Sequence, residues 1–383
     1  MAKRLMISGA LGSHPWFGGH AWAYLNYILG FRRLGLDVLY VEYIGNEHCV
    51  DENGKSVPFY TCSNVEYFRR VMDEFCLSGC TTLLEQHGEG HVGLSHVDLE
   101  RLAPEIDLLI NIGGRPLPQS IHAAVGRRVY VDLDPGYTQI WRERYGAHMN
   151  LDGHDLYVTV GLNLGKSDCP LPICGLKWET TLPPVVLDQW STAQPAGTSY
   201  TTVAEWRGFS PIEWRGVWYG QKADEFLRLI DLPRRVAAPL ELCLCVYPNE
   251  PEPPKLEEHG WHIVQPRHHT ATPDSYRDYI VHSRGEFTAV KHTYALGRTG
   301  WFSDRSACYL AAGRPVIVQD TGIGAYLPTG TGLLTFTDAD SAAEAINHVE
   351  SDYSQHAAAA EAFAHEFLDS DLVLGRLLRL TGV

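Results

Sequence analysis

The sequence predicts an α/β protein built from two parallel-sheet domains, and three observations lead there. At 383 residues the chain exceeds one ordinary core and suits two domains of about 150–200 residues each. Short apolar runs alternate with helical patterns in both halves, which implies parallel strands joined by right-handed crossovers. Between the halves, Cys169-Pro-Leu-Pro-Ile-Cys174, Leu182-Pro-Pro184 and Gln194-Pro-Ala-Gly197 break the pattern and read as a connection. The expected division is 1–175 for the first domain, 176–199 for the connector and 200–353 for the second domain. Terminal helices over 354–383 are expected to pack back toward the first.

The elements follow in order. Residues 4–8 read as a strand, 9–19 as a glycine-rich loop, and about 20–34 as a helix stopped by Gly35. Residues 38–43 are the next strand, and 44–61 a loop insertion. Helices are expected at 64–77 and 95–102, with strands at 107–112, 128–133 and 155–160. A new alternating unit opens with a strand at 200–203. Gly220-Gln-Lys222 then starts a helix running to about 230, before strands at 240–246 and 261–264. A helix at 273–283 leads to a strand at 286–290 that ends at Lys291. The last third adds strands at 316–318 and 332–337 and helices at 341–349, 356–367 and 372–380.

Composition narrows the function classes. A formal net charge of −15 argues against nucleic acid as a partner, because phosphate neutralisation drives that binding. No apolar run approaches the roughly 20 residues that span a bilayer. Met1-Ala-Lys-Arg-Leu-Met-Ile7 enters a strand directly, leaving no room for a leader, so a cytoplasmic location is expected. The nine cysteines are odd in number and lack paired Cys-x-x-Cys units. They read as small buried hydrophobes rather than as zinc ligands or disulfides.

The richest segment runs from Lys291-His-Thr-Tyr-Ala-Leu-Gly-Arg-Thr-Gly300 through Trp301-Phe-Ser-Asp-Arg-Ser306 to Gly313-Arg-Pro-Val-Ile-Val-Gln-Asp-Thr-Gly322. It contains a helix start after Gly300, with Ser303, Asp304 and Ser306 as cap candidates. Free backbone N–H groups there, with Lys291, Arg298 and Arg305 nearby in sequence, suit a diphosphate. Asp320, Thr321 and Gly322 follow a buried strand, so they fall at the carboxyl edge where open α/β sheets bind ligands.

This segment resembles the donor-binding half of GT-B glycosyltransferases, whose two Rossmann-like domains face across a cleft. Gly300-Trp301-Phe302-Ser303 is similar to the glycine–tryptophan–x–serine stretch of the plant-type donor signature. Ser303-Asp304-Arg305 resembles the spore-coat CgeB-like branch, and Ala311-Ala-Gly-Arg-Pro-Val316 the superfamily's small–small–Gly–x–Pro–Val turn. Many retaining members carry two glutamates where this chain has Gly300 and Cys308, so the usual ribose contact is missing.

The remaining candidates lie at strand ends. In inverting members of the resembled family a histidine on the first loop is the base, which assigns that role to His20, with His14 as substitute. A neutral imidazole suits it, and Gly18 and Gly19 form the acceptor-side loop. Asp132 is the expected carboxylate partner of His20, whereas Asp134 in Asp134-Pro-Gly136 also fits plain turn chemistry. On the donor side Arg207 and Lys222 are the cations expected to neutralise a departing diphosphate. Asp320 is expected to hold donor sugar hydroxyls, and Glu286 is a possible sugar or base contact. The aromatics Trp206, Trp214, Trp218, Tyr219 and Trp301 include a candidate for stacking on the nucleobase.

The resemblance thus implies metal-independent transfer of a sugar from a UDP-, TDP- or GDP-sugar to a hydroxyl of a small-molecule or lipid-linked acceptor. The sugar nucleotide serves as co-substrate, and neither a metal nor another cofactor is expected. A sugar-nucleotide epimerase and a non-catalytic sugar-nucleotide or glycan-binding protein are the rival readings. Oligomeric state is left open by the sequence.

Overall fold

Two parallel sheets of like strand order make up the computed structural model, which describes residues 3–382. Met1, Ala2 and Val383, the ends of the first and last expected segments, lie outside the described residues. The first sheet contains β1 (Arg4–Ser8), β2 (Asp37–Ile44), β3 (Thr81–Glu85), β4 (His91–Val92), β5 (Leu108–Ile112), β6 (Arg127–Asp132), β7 (Leu156–Thr159) and β8 (Trp178–Thr180). Their order is β4-β3-β2-β1-β5-β6-β7-β8, and every neighbouring pair is parallel except β3–β4. After β9 (Tyr200–Glu205) comes a hairpin of β10 (Ile212–Trp214) and β11 (Val217–Tyr219). The second sheet is completed by β12 (Leu240–Cys245), β13 (His262–Val264), β14 (Gly285–Thr288), β15 (Val316–Gln319) and β16 (Leu333–Phe336). It is ordered β13-β12-β9-β14-β15-β16 and is parallel throughout.

In each sheet the strand order reverses beside the first strand, and such switch points open a crevice at the carboxyl ends. The loops after β1 and β5 therefore border one crevice, and those after β9 and β14 the other. The central strands read as unbroken apolar runs because helices cover both faces. Leu5, Ile7, Leu108 and Ile110 go to one buried cluster, while Met6, Val41 and Leu109 go to a cluster on the opposite face.

The two halves touch along the helix Gly18–Arg33, which packs on the helix Pro273–Val281. Trp22 Nε1 donates to Pro273 O at 2.9 Å and the Gly18 N–H to Thr270 O at 2.9 Å. A Cβ at Gly18 would stand 2.1 Å from Thr272 O, so only glycine allows this approach. The hairpin reaches across as well: Arg144 pairs with Glu213 at 3.0 Å, and Trp214 Nε1 donates to Pro170 O.

Several expectations are corrected. β14 ends at Thr288, and Lys291 instead precedes the short helix His292–Leu296. The first sheet extends to Trp178–Thr180, inside the expected connector. Of the terminal helices, Tyr353–Phe363 stays against the second sheet and the helix Asp304–Ala311. Only Ser370–Thr381 packs back onto Gly18–Arg33, after a π-helical turn at Ala364–Leu368. The insertion at 44–61 carries two single turns, Asn46–His48 and Phe59–Thr61.

Candidate active site between the two sheets

On the first sheet's side, the loop after β1 folds back onto itself. His14 Nδ1 and His20 Nε2 both lie within hydrogen-bond reach of Ala10 O, at 3.3 and 3.0 Å, and their rings are 4.3 Å apart. Below them Glu42 is fully buried and accepts from the Gly12 N–H, the Ser13 N–H and hydroxyl, and the Tyr40 hydroxyl. Arg115, from the loop after β5, donates to the Tyr24 hydroxyl at 3.3 Å, and its Nε has no partner. Burial, His14 and Arg115 hold the His20 imidazole well below its ordinary pKa. His20 is therefore neutral at neutral pH, as a proton acceptor must be.

Asp132 is not the partner of His20. It is buried at the end of β6, where it accepts from Thr138, Gln139 and Thr159 and from the Asp134 N–H. Burial pushes its pKa up to about 6 against those hydrogen bonds. Its work is to shape the Asp134-Pro-Gly136 turn into the helix Tyr137–Tyr145. The sequence pairing failed because strand alternation fixes a face and not a neighbour. Gly18 and Gly19, expected to line the acceptor side, pack instead on Thr272 and Tyr276 of the second domain.

On the second sheet's side, the helix Asp304–Ala311 starts at Ser303, whose hydroxyl accepts from the Arg305 N–H at 3.2 Å. Arg305 itself is not free for a ligand. Its guanidinium donates to Glu286, to Val203 O at 2.9 Å and to Thr288 Oγ1 at 3.0 Å. Glu286 is fully buried in this pair, which removes it as a sugar or base contact. Arg207 is likewise engaged, with Glu250, Glu252 and Gln221. Arg305 thus ties β14 to β9, and Arg207 ties the loop after β9 to Gln221 and to Glu250 and Glu252.

Lys222 is different. It is 8% exposed, and its ammonium makes no hydrogen bond or ion pair among the described residues. Burial, Arg305 and Lys291 hold its pKa well below the ordinary lysine value, against a weaker pull from Glu286 and Glu205. Lys291 lies over the Phe209 ring at 3.5 Å and reaches Asp134 Oδ1 of the first domain at 3.3 Å. Tyr294 donates to the same oxygen at 2.6 Å and stacks on Trp301 with ring centroids 4.3 Å apart. Asp304 faces this region too. Burial raises its pKa, and Asp134 adds to the rise.

Arg298 stands apart from these cations. It is exposed, has a positive φ of 44°, and lies 3.7 Å from Asp168 and 3.8 Å from Asp320. Asp320 accepts from the Gly322 N–H, while Thr321 is buried and donates to Trp301 O. Asp320, Thr321 and Gly322 thus form one turn behind the donor-side loop, with Arg298 over its edge.

One contributor went unseen in the sequence. Residues 161–163 of the first domain run antiparallel to residues 299–301 of the second. Leu162 N–H donates to Gly300 O at 3.2 Å and Asn163 N–H to Thr299 O at 3.0 Å. Asn163 Nδ2 also holds Arg298 O at 2.7 Å, and its Oδ1 accepts from Tyr326. A lone asparagine after a strand carries no local signal of so distant a pairing.

Solved structures of like fold cover this chain from end to end. HepE from Anabaena, solved with UDP and glucose, gives a TM-score of 0.57 at 12% identity over 100% of both chains. An alpha-glucosyltransferase solved with UDP gives 0.58 at 11% identity, again over 100% of both. The pneumococcal O-GlcNAc transferase GtfA, with UDP and GlcNAc, gives 0.55 at 10% identity over 100% of this chain and 99% of its own. No protein-family model and no curated protein matches the sequence. At such identities the likeness establishes architecture. The chain has the GT-B glycosyltransferase fold, two Rossmann-like domains facing each other.

Proposed function

We propose that the protein is a metal-independent glycosyltransferase, moving a sugar from a nucleoside diphosphate to a hydroxyl of a small-molecule or lipid-linked acceptor. Lys222 carries this reading. A lysine side chain this buried whose ammonium has no partner is costly, whereas Arg305 and Lys291 beside it are already matched by Glu286 and Asp134. A diphosphate completes the site: it brings the missing negative charge and oxygens for the N–H groups at the start of Asp304–Ala311. In this reading Lys222 and Lys291 stabilise the departing diphosphate, the work a divalent cation performs elsewhere. Ser303 and the neighbouring amides bind phosphate oxygens, and Asp320, Thr321 and Gly322 hold the donor sugar. His20 takes the acceptor's proton.

UDP is the first nucleotide to try, since the three like folds were solved with it. Lys222→Met is expected to weaken UDP binding in calorimetry by about 1.5–3 kcal/mol, the scale of a charge-assisted hydrogen bond. Unchanged affinity would place the phosphates elsewhere. A non-catalytic nucleotide-sugar binder is the second reading, favoured by Gly300 and the buried Cys308 at the glutamate positions. Release of glucose from UDP-glucose by the purified protein separates the two, because a binding module leaves the donor intact.

A further inference from the structure

The loop between β1 and the helix Gly18–Arg33 carries His14, leads to His20, and is held from two sides. Its first half is tied to its own domain. The Leu11 N–H donates to the Tyr40 hydroxyl at 2.9 Å, the Gly12 N–H to Glu42 at 2.8 Å, and Asn64 Nδ2 to Gly12 O at 2.9 Å. Its end is tied to the other domain, where the Gly18 N–H meets Thr270 O and Gly19 lies against the Tyr276 ring. Residues 14–17 bridge these two sets of anchors.

Within the bridge Trp16 takes a φ of 70°. For so bulky a side chain this left-handed backbone is an outlier, and it persists only where the surroundings over-determine it. Arg267 of the second domain supplies such a contact. It comes from the short helix Pro266–His269 that follows β13, and its guanidinium carbon stands 3.7 Å from the centre of the Trp16 ring. Arg267 is exposed and Trp16 half-buried. Among the described residues the guanidinium has no hydrogen bond or ion pair, so the stack on Trp16 is its one specific contact.

Ring contacts carry the effect of this stack to the histidines. Phe17 stands edge-on to His14 with centroids 6.5 Å apart, and His14 lies 4.3 Å from His20. A change of backbone at Trp16 displaces the rings on both sides of it, and with them the packing on His20. The contact between the domains does not itself depend on the pair, because Trp22 Nε1 already donates to Pro273 O and the Gly18 N–H to Thr270 O. An exposed cation on a half-buried ring adds little to global stability. Its consequence falls on the shape of the loop.

We propose that Arg267 is a positioning residue for the reaction: stacked on Trp16, it holds from the second domain the first-domain loop that sets His14 and His20. The proposal rests on the glycosyltransferase reading above. Turnover, binding and spectroscopy on the full chain test it together. Arg267→Ala should lower kcat for glucose release from UDP-glucose about two- to fivefold, the worth of an exposed cation–π contact. The donor KM and the UDP affinity in calorimetry should stay at their wild-type values. Arg267→Lys should recover most of the loss, since an ammonium over the ring is attracted too. Trp16→Leu should lower kcat by a similar factor, and the double variant Trp16→Leu/Arg267→Ala no further than the larger single effect. In NMR of isotope-labelled histidines, assigned with His14→Gln and His20→Gln, both ring signals should move in free Arg267→Ala. Wild-type kcat in Arg267→Ala, losses that multiply in the double variant, weaker UDP binding, or unmoved histidine signals would each overturn the proposal. Failure of the glycosyltransferase reading looks different: the wild-type chain then releases no glucose, while the histidine signals still move.

Discussion

Asp134 of the first domain and Lys291 of the second face each other across the cleft, with Lys291 Nζ 3.3 Å from Asp134 Oδ1. Tyr294 donates to the same oxygen at 2.6 Å, so one carboxylate gathers two groups of the opposite domain. A donor diphosphate would compete with Asp134 for the lysine. Asp134→Asn is therefore expected to tighten UDP binding about two- to fivefold, the worth of a partly exposed ion pair. Calorimetry on the variant checks it; weaker binding would mean that Asp134 supports the nucleotide rather than displacing it.

His20 yields a kinetic and a pH prediction. His20→Ala should lower kcat by about 10²–10⁴-fold with little change in UDP affinity. Because its folded pKa lies well below 6.5, the acid limb of kcat/KM should fall well below pH 6.5. Retention of anomeric configuration by NMR, with a nearly active His20→Ala, would assign the proton to another acceptor.

His154 predicts how stability responds to acid. Its folded pKa is lowered to about 4 by burial, from an ordinary value of 6.5. The unfolded chain takes up this proton first as pH falls, so the contribution is full above pH 6.5 and is lost toward pH 4. Urea unfolding from pH 7.5 to 4.5 should show this loss, and His154→Gln should flatten it. Equal slopes for the two proteins would refute the assignment.

Arg305 predicts a stability effect in place of a binding one. Arg305→Met leaves Glu286 buried without its partner and should cost about 3–5 kcal/mol. The double variant with Glu286→Gln should recover part of that loss. If Arg305→Met keeps its melting temperature and loses UDP binding, the arginine serves the ligand after all.

Gly300 predicts sensitivity at the interdomain backbone pairing. Its φ is 66°, and a Cβ there would stand 2.6 Å from the Asn163 nitrogen. Gly300→Ala should therefore destabilise by about 1–3 kcal/mol and weaken UDP binding as the loop before Ser303 shifts. Unchanged melting and affinity would show that residues 161–163 and 299–301 are not coupled.

How much of this was readable beforehand follows from the range of each interaction. β1, β2, β5, β12 and β15 announce themselves because an apolar run bounded by glycine or charge is a local pattern. β8, three residues long at Trp178–Thr180, shows no period and falls within the proline-rich stretch that reads as a connector. The helix Tyr137–Tyr145 was hidden behind Asp134-Pro-Gly136, which reads as a turn. Within the site, Lys222 and Lys291 were visible as cations at element ends. Nothing in sequence distinguished the unpaired Lys222 from Arg207, whose partners Glu250 and Glu252 lie more than forty residues away. Burial and pairing are properties of the folded neighbourhood, and single-sequence patterns do not carry them.

The chain crosses between its domains twice, and the crossings touch. Val185 N–H donates to Leu368 O at 2.8 Å, and Ser370 N–H returns to Val185 O at 2.9 Å. Two covalent crossings stitched at one point behave as a pin: rotation about it remains cheap, whereas sliding strains both segments. Any opening of the cleft should then be a swing that leaves residues 185 and 369 in register. A disulfide engineered at Val185 and Asp369 should leave turnover intact. Arrest by that disulfide would show that the domains shear instead.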